Sequence, residues 1–157
     1  MGRLLGLDFG TRRVGAALSD PRRVIATPLE VYQRQGAERD ARHYQTLVAE
    51  HGVEGLVVGL PLHTSGLEGD LAALARAWGA WLADVTGLGV IFHDERYSSV
   101  EADATLRAYG FKAKGRKTKI DMLAAQILLQ QYLDAGCPVT ETPAAPLDDP
   151  AVEGQDE

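Results

Sequence analysis

Apolar residues recur along this chain in short runs at first and in a helical period later. Arg3–Asp8, Val14–Ser19 and Val24–Tyr32 are apolar-rich segments separated by turn residues, with Pro21 and Arg22 marking the second turn. They predict three successive strands. From Gly36 to His51 the chain is polar except at Ala37, Ala41, Tyr44, Leu47 and Val48, which is the spacing of one helix face. Glu54–Gly59, reading EGLVVG, predicts a short buried strand. Gly69–Thr86 returns to the helical period, with Leu71, Leu74, Ala75, Trp78 and Leu82 on one side. Val90–His93 predicts another short strand.

Ser98 and Glu101 have the spacing of a capping box, and Gly110 is a good C-terminal stop, so a helix is expected between them. A last helix is expected from Thr118 to Ala135, with Ile120, Leu123, Ala124, Ile127 and Leu128 toward the core. The order is three strands, helix, strand, helix, strand, helix, helix, with no internal repeat. It predicts an α/β protein. Its mixed sheet has three early antiparallel strands, then alternating helices and strands, and is flanked by helices.

The chain has 157 residues, 45% of them apolar and 24% charged. That is enough for one domain with a real core. No apolar run nears the ~18 residues needed to span a bilayer, so no membrane partner is expected. Met1 is followed at once by a strand-like segment, which predicts no secretory leader. The single cysteine, Cys137, can form neither an internal disulfide nor a cysteine-rich zinc site. This favours a reducing compartment, and a cytoplasmic location is expected.

The net charge of −6 changes meaning when it is divided along the chain. Residues 138–157 hold six acids (Glu141, Asp148, Asp149, Glu153, Asp156 and Glu157), no base, and many Pro and Ala. This segment is expected to be a disordered tail behind a domain of residues 1–137. The domain then has as many bases as acids, which leaves nucleic acid open as a partner. Six bases, Arg107, Lys112, Lys114, Arg116, Lys117 and Lys119, lie between Asp103 and Asp121 with no acid among them. They form either a solvated basic loop or a contact for phosphates.

Three groups of acids break the apolar pattern. Asp8 ends the first strand in LLGLDFGTRRVG. Asp94 and Glu95 end another in HDERYSS. Asp121, in KIDMLAAQIL, shares a helical stripe with Ala125, Leu128 and Tyr132. Each has a plain reading. Asp8 can open a turn, Asp94 or Glu95 can be a loop acid, and Asp121 can serve a helix start through Thr118-x-x-Asp121. Together they can instead converge on one point. Converging carboxylates repel and call for a cation, and hard oxygen ligands suit Mg²⁺ or Mn²⁺. Two such ions roughly 4 Å apart can activate water and stabilise the leaving oxygen in phosphodiester cleavage. Repulsion predicts that metal-free Asp121→Asn leaves the fold intact or slightly firmer. A capping role predicts a loss of ~1 kcal/mol. The histidines add little: His43 and His51 lack a matching ligand pair, His63 lies in a loop, and His93 stands alone beside Asp94.

The motifs LLGLDFGTRRVG, VVGLPLHTSG, HDERYSSVEA and KIDMLAAQILLQQYL occur in this order. They resemble the YqgF/RuvX family, whose proposed roles are Holliday junction resolution and pre-16S rRNA cleavage. The resemblance spans about Leu4 to Leu133. It implies a ribonuclease H-like fold and a metal-dependent nuclease that takes branched DNA or an rRNA precursor. The family's acidic triad carries over to Asp8, Glu95 and Asp121 as catalytic residues and metal ligands, with Glu95 preferred over Asp94. The implied cofactor is Mg²⁺ or Mn²⁺, two per site, with Asp8 bridging and Glu95 and Asp121 each holding one side. The family loop after Gly-Leu-Pro-Leu usually reads Asn, any residue, Asp, Gly. Here it is His63, Thr64, Ser65, Gly66, so no base-reading role is carried over to it.

Thr11, Arg12 and Arg13, in and after the turn, are candidate contacts to the nucleic-acid backbone. So are Arg96, Lys112, Lys114, Arg116, Lys117 and Lys119, with Lys112–Lys119 expected to be mobile until substrate binds. A two-fold symmetric junction would call for a homodimer. Two other classes compete with this reading. A sugar kinase or actin-like ATPase shares an Asp-x-Gly-Thr hairpin but needs two such domains, more than this chain provides. A non-catalytic nucleic-acid-binding module would have no reason to keep three carboxylates that repel phosphate.

Overall fold

The computed structural model describes residues 2–60, 69–94 and 113–138, with side chains of residues 113–119 left aside. The described elements are β1 (Arg3–Asp8), β2 (Arg13–Ser19), β3 (Ala26–Gln33), α1 (Ala37–His51), β4 (Val53–Leu60), α2 (Asp70–Thr86), β5 (Val90–Asp94) and α3 (Ala113–Asp134). They form a sheet of order β3-β2-β1-β4-β5. β1, β2 and β3 pair antiparallel, while β4 pairs parallel to both β1 and β5. The expected α/β architecture is therefore present. The helix expected between Ser98 and Gly110, the loop from His63 to Gly66 and tail residues 139–157 lie outside the described residues. No described helix is long and apolar enough to cross a membrane.

β1 is the middle strand, and its period of two divides the core. Leu5, Leu7 and Phe9 join the cluster formed with α1 and α2, around Tyr44, Trp78 and Leu82. Leu4 joins the cluster on the other face, where α3 contributes Ala125, Leu128, Leu129 and Tyr132. Asp8 follows Leu4 and Gly6 in the alternation and therefore belongs to the α3 face. The parallel strands β1, β4 and β5 all finish at one edge, with Leu60 level with Asp94.

α3 packs directly against the sheet backbone at two facing positions that lack a side chain. A Cβ at Gly6 would stand 2.7 Å from the Leu129 Cβ, and one at Gly15 would overlap the Asp121 carbonyl oxygen. α1 and α2 end on left-handed glycines, Gly52 at φ 62° and Gly87 at φ 74°, as their C-terminal caps require.

Three expectations change. First, the buried face of α2 is Ala72, Ala75, Trp78, Gly79 and Leu82, while Leu71 is 42% and Leu74 50% exposed. The Phe92 ring packs where a Gly79 side chain would be, which centres the helix on its small residues. Second, the buried residues of α3 include Ala124, Ala125, Leu128, Leu129, Tyr132 and Leu133. Its inward face is thus the stripe that continues from Asp121. Third, α3 begins at Ala113, so Asp121 lies more than two turns inside it. The capping role for Asp121 is excluded. The backbone is helical from Ala113, ahead of the expected start at Thr118.

Candidate active site

β1 ends at Asp8, the chain turns through Gly10 and Thr11, and β2 starts at Arg13. The register sets Asp8 opposite Gly15. Gly15 is also where the backbone of Asp121 presses on the sheet. A central strand, its hairpin partner and a helix from the far end of the chain thus meet at one point.

Asp8, Thr11, Arg12, Arg13, Leu71 and Asp121 line one cleft of about 320 Å³. The Arg13 Nε donates to Asp121 Oδ2 at 2.6 Å. Their side chains are 23% and 22% exposed, so the pair is partly shielded from water. Thr11 and Arg12 are exposed at the mouth. The turn is held by Arg34, whose NH1 donates to the carbonyls of Gly10 and Thr11, each at 3.2 Å. The Arg34 backbone N–H donates to the Arg12 carbonyl at 2.9 Å.

Five of the sequence candidates, Asp8, Thr11, Arg12, Arg13 and Asp121, therefore share one cleft. Glu95, Arg96 and Lys112 lie outside the described residues. Lys114, Arg116, Lys117 and Lys119 fall on the first two turns of α3, with their side chains undescribed. The sequence reading missed Arg34, a polar residue just past an edge strand with no motif around it. It also missed the Arg13 partnership. His93 lies on the α3 face, edge-on to Tyr132 with ring centroids 6.0 Å apart. Burial pushes its pKa down, against the opposing pull of Asp94 and Gln131.

Asp8 and Asp121 supply hard oxygen donors of the kind Mg²⁺ or Mn²⁺ takes, while the Arg13 guanidinium holds one Asp121 oxygen. Among the described residues no cluster of three His, Cys, Asp or Glu is arranged to hold a metal.

The sequence model of the RuvX family, described as Holliday junction resolvase, matches residues 2–135. A Rhodopirellula baltica protein named "Putative pre-16S rRNA nuclease" is 40% identical over 134 residues, covering 85% of this chain and 78% of that protein. A Chloroflexus aggregans protein of the same name is 45% identical over 132 residues, covering 84% and 93%. Among solved structures, Thermus thermophilus RuvC in complex with a Holliday junction substrate is similar at a TM-score of 0.54. It has 16% identity and covers 87% of this chain and 96% of that one. The Fowlpox virus resolvase has a TM-score of 0.52, 11% identity and coverages of 87% and 99%. At these identities the structural likeness is one of fold, and it agrees with the ribonuclease H-like sheet. On the match of its own sequence, this chain belongs to the RuvX family.

Proposed function

We propose that this protein is a metal-dependent nuclease that hydrolyses phosphodiester bonds in structured nucleic acid, Holliday junction DNA or the 5′ end of pre-16S rRNA. One observation carries the reading. Two acids 113 positions apart in the sequence, Asp8 and Asp121, line the same cleft as Thr11, Arg12 and Arg13. The names of the family and of its relatives support it.

Asp8, Asp121 and Glu95 would hold Mg²⁺ or Mn²⁺, two per site. When bound, such ions supply an activated water and stabilise charge on the leaving oxygen. The remaining work falls to this chain's own residues. Thr11 and Arg12, exposed at the mouth, receive and orient the phosphate. Arg13 fixes the Asp121 carboxylate on the cleft wall. Arg34 keeps the turn in place through three hydrogen bonds. Arg96, Lys112, Lys114, Arg116, Lys117 and Lys119 contact the nucleic-acid backbone, which makes binding steeply salt-dependent. Residues 1–137 form the catalytic domain, 138–157 are an appended acidic tail, and the protein works in the cytoplasm. On a two-fold symmetric junction it acts as a homodimer.

The test is cleavage of branched DNA and structured RNA with Mg²⁺ or Mn²⁺, wild type beside Asp8→Asn. The wild type is expected to cut at least one substrate and the variant neither. A wild type that binds both substrates and cuts neither, or a variant that cuts as well as wild type, replaces this reading with a non-catalytic binding module.

A further inference from the structure

Asp8 leaves β1 toward α3, and the next residue, Phe9, leaves toward α1 and α2. On that side lies a second cleft of about 590 Å³, lined in part by Phe9, Arg34, Asp40, Leu74, Trp78 and Trp81. Phe9 and Thr11 line both clefts, so the turn after β1 is their common wall.

Three features of this cleft point to a ligand. Its wall is aromatic: Phe9 and Trp78 have centroids 5.3 Å apart, and Trp78 and Trp81 6.4 Å apart. Leu74 stays half exposed beside them, an apolar surface left in water. Arg34 brings a fixed cation, with its Cζ 5.2 Å from the Phe9 ring centroid and its NH1 anchored on the turn. Asp40 is 3% exposed, yet both hydrogen bonds it accepts, from Tyr32 OH and the Gln35 backbone N–H, fall on Oδ1. Among the described residues Oδ2 receives none, and unlike the Tyr44 hydroxyl it is not sealed from solvent, so it stays open to a donor entering the cleft that Asp40 lines.

We infer that this cleft receives an unpaired nucleobase of the nucleic acid whose phosphate lies at Asp8. The inference rests on the nuclease reading for the position of that phosphate. A flat ring stacks against the indoles. An exocyclic amino group or ring N–H donates to Asp40 Oδ2, and Arg34 offsets the charge of the neighbouring phosphate. An apolar peptide side chain would fill the aromatic part and leave Asp40 Oδ2 and Arg34 unused. A base uses all three and is already tethered on the far side of Thr11.

Both tryptophans of the chain line this cleft, so tryptophan emission, excited apart from the five tyrosines, reports on it. The full chain is titrated with a single-stranded adenine RNA hexamer and with an abasic sugar–phosphate chain of equal length. The hexamer is expected to quench tryptophan emission and the abasic chain to leave it unchanged. Trp81→Leu and Leu74→Gln, each checked for folding by circular dichroism, are expected to weaken hexamer binding, Trp81→Leu by about tenfold or more. Asp8→Asn, in the other cleft, keeps the quenching, so loss of cleavage and loss of base binding are read separately. Equal quenching by the abasic chain, or unchanged affinity in both variants, overturns the base site. Quenching produced by self-association or by an apolar peptide, and not by the hexamer, assigns the cleft to a protein partner and overturns it as well.

Discussion

Arg13 and Asp121 are 108 positions apart in sequence and joined by a hydrogen-bonded ion pair of 2.6 Å. The guanidinium supplies the positive charge that an acid on a core-facing stripe needs. In the metal-free protein this pairing opposes the repulsion expected among the carboxylates. Asp121→Asn is expected to lower metal-free stability by ~1 kcal/mol, and Arg13→Gln by a similar amount. The double variant should lose about as much as either single one, because one interaction is removed in all three. Urea melts in chelator decide it, and an Asp121→Asn protein as stable as wild type would refute the account.

Gly15→Ala is expected to cost ~1–3 kcal/mol or more, since the new Cβ overlaps the Asp121 carbonyl and α3 must lift. The same lift displaces Asp121 from the cleft, so cleavage should fall with stability. Gly89→Ala, where a Cβ meets nothing within 4 Å, is the control and should stay within about 0.5 kcal/mol of wild type. Equal effects from the two variants would count against close packing at Gly15.

Tyr44 is 1% exposed, and its hydroxyl has no hydrogen-bond partner among the described residues. Removing that oxygen removes an unpaid desolvation cost while the ring keeps its edge contacts with Tyr32 and Trp78. Tyr44→Phe should stabilise by ~1 kcal/mol and raise Tm by about 2–4 °C. A lower Tm in a calorimetric scan would show that the hydroxyl has a partner after all.

Burial, and then donation to Asp40, push the Tyr32 hydroxyl from its ordinary 10.0 to about 12. The folded value lies above the unfolded one. Its stabilising contribution is therefore complete below pH 10.0 and is lost as the pH rises through about 12. The stability difference between wild type and Tyr32→Phe, followed by denaturant titration at rising pH, should shrink over that window. A difference constant with pH would rule the linkage out.

The period of the apolar residues was sufficient to read all five described strands and the positions of α1 and α2. Asp8 and Asp121 also stood out, because a carboxylate on an apolar stripe is unusual at any range. What stayed hidden has physical causes. Leu71 and Leu74 look like core residues because apolar residues that line a cleft obey the same helical spacing as those that fill a core. Asp40 looks like a surface helix residue, yet it is buried and accepts from the distant Tyr32 hydroxyl and the Gln35 backbone N–H. The start of α3 carries bases instead of apolar residues, so it has no period to read. Arg13 could be placed in a phosphate-facing turn, but its partner lies at the other end of the domain and no local pattern connects them.

The distance in sequence between Asp8 and Asp121 has a consequence for synthesis. β1 leaves the ribosome before every other described element, and α3 leaves it after them. The acid cleft lacks its second described acid until Asp121 has been translated and α3 has settled on Gly15. Until then a nascent chain carries Asp8 without Asp121, and the proposed metal site has only part of its ligands.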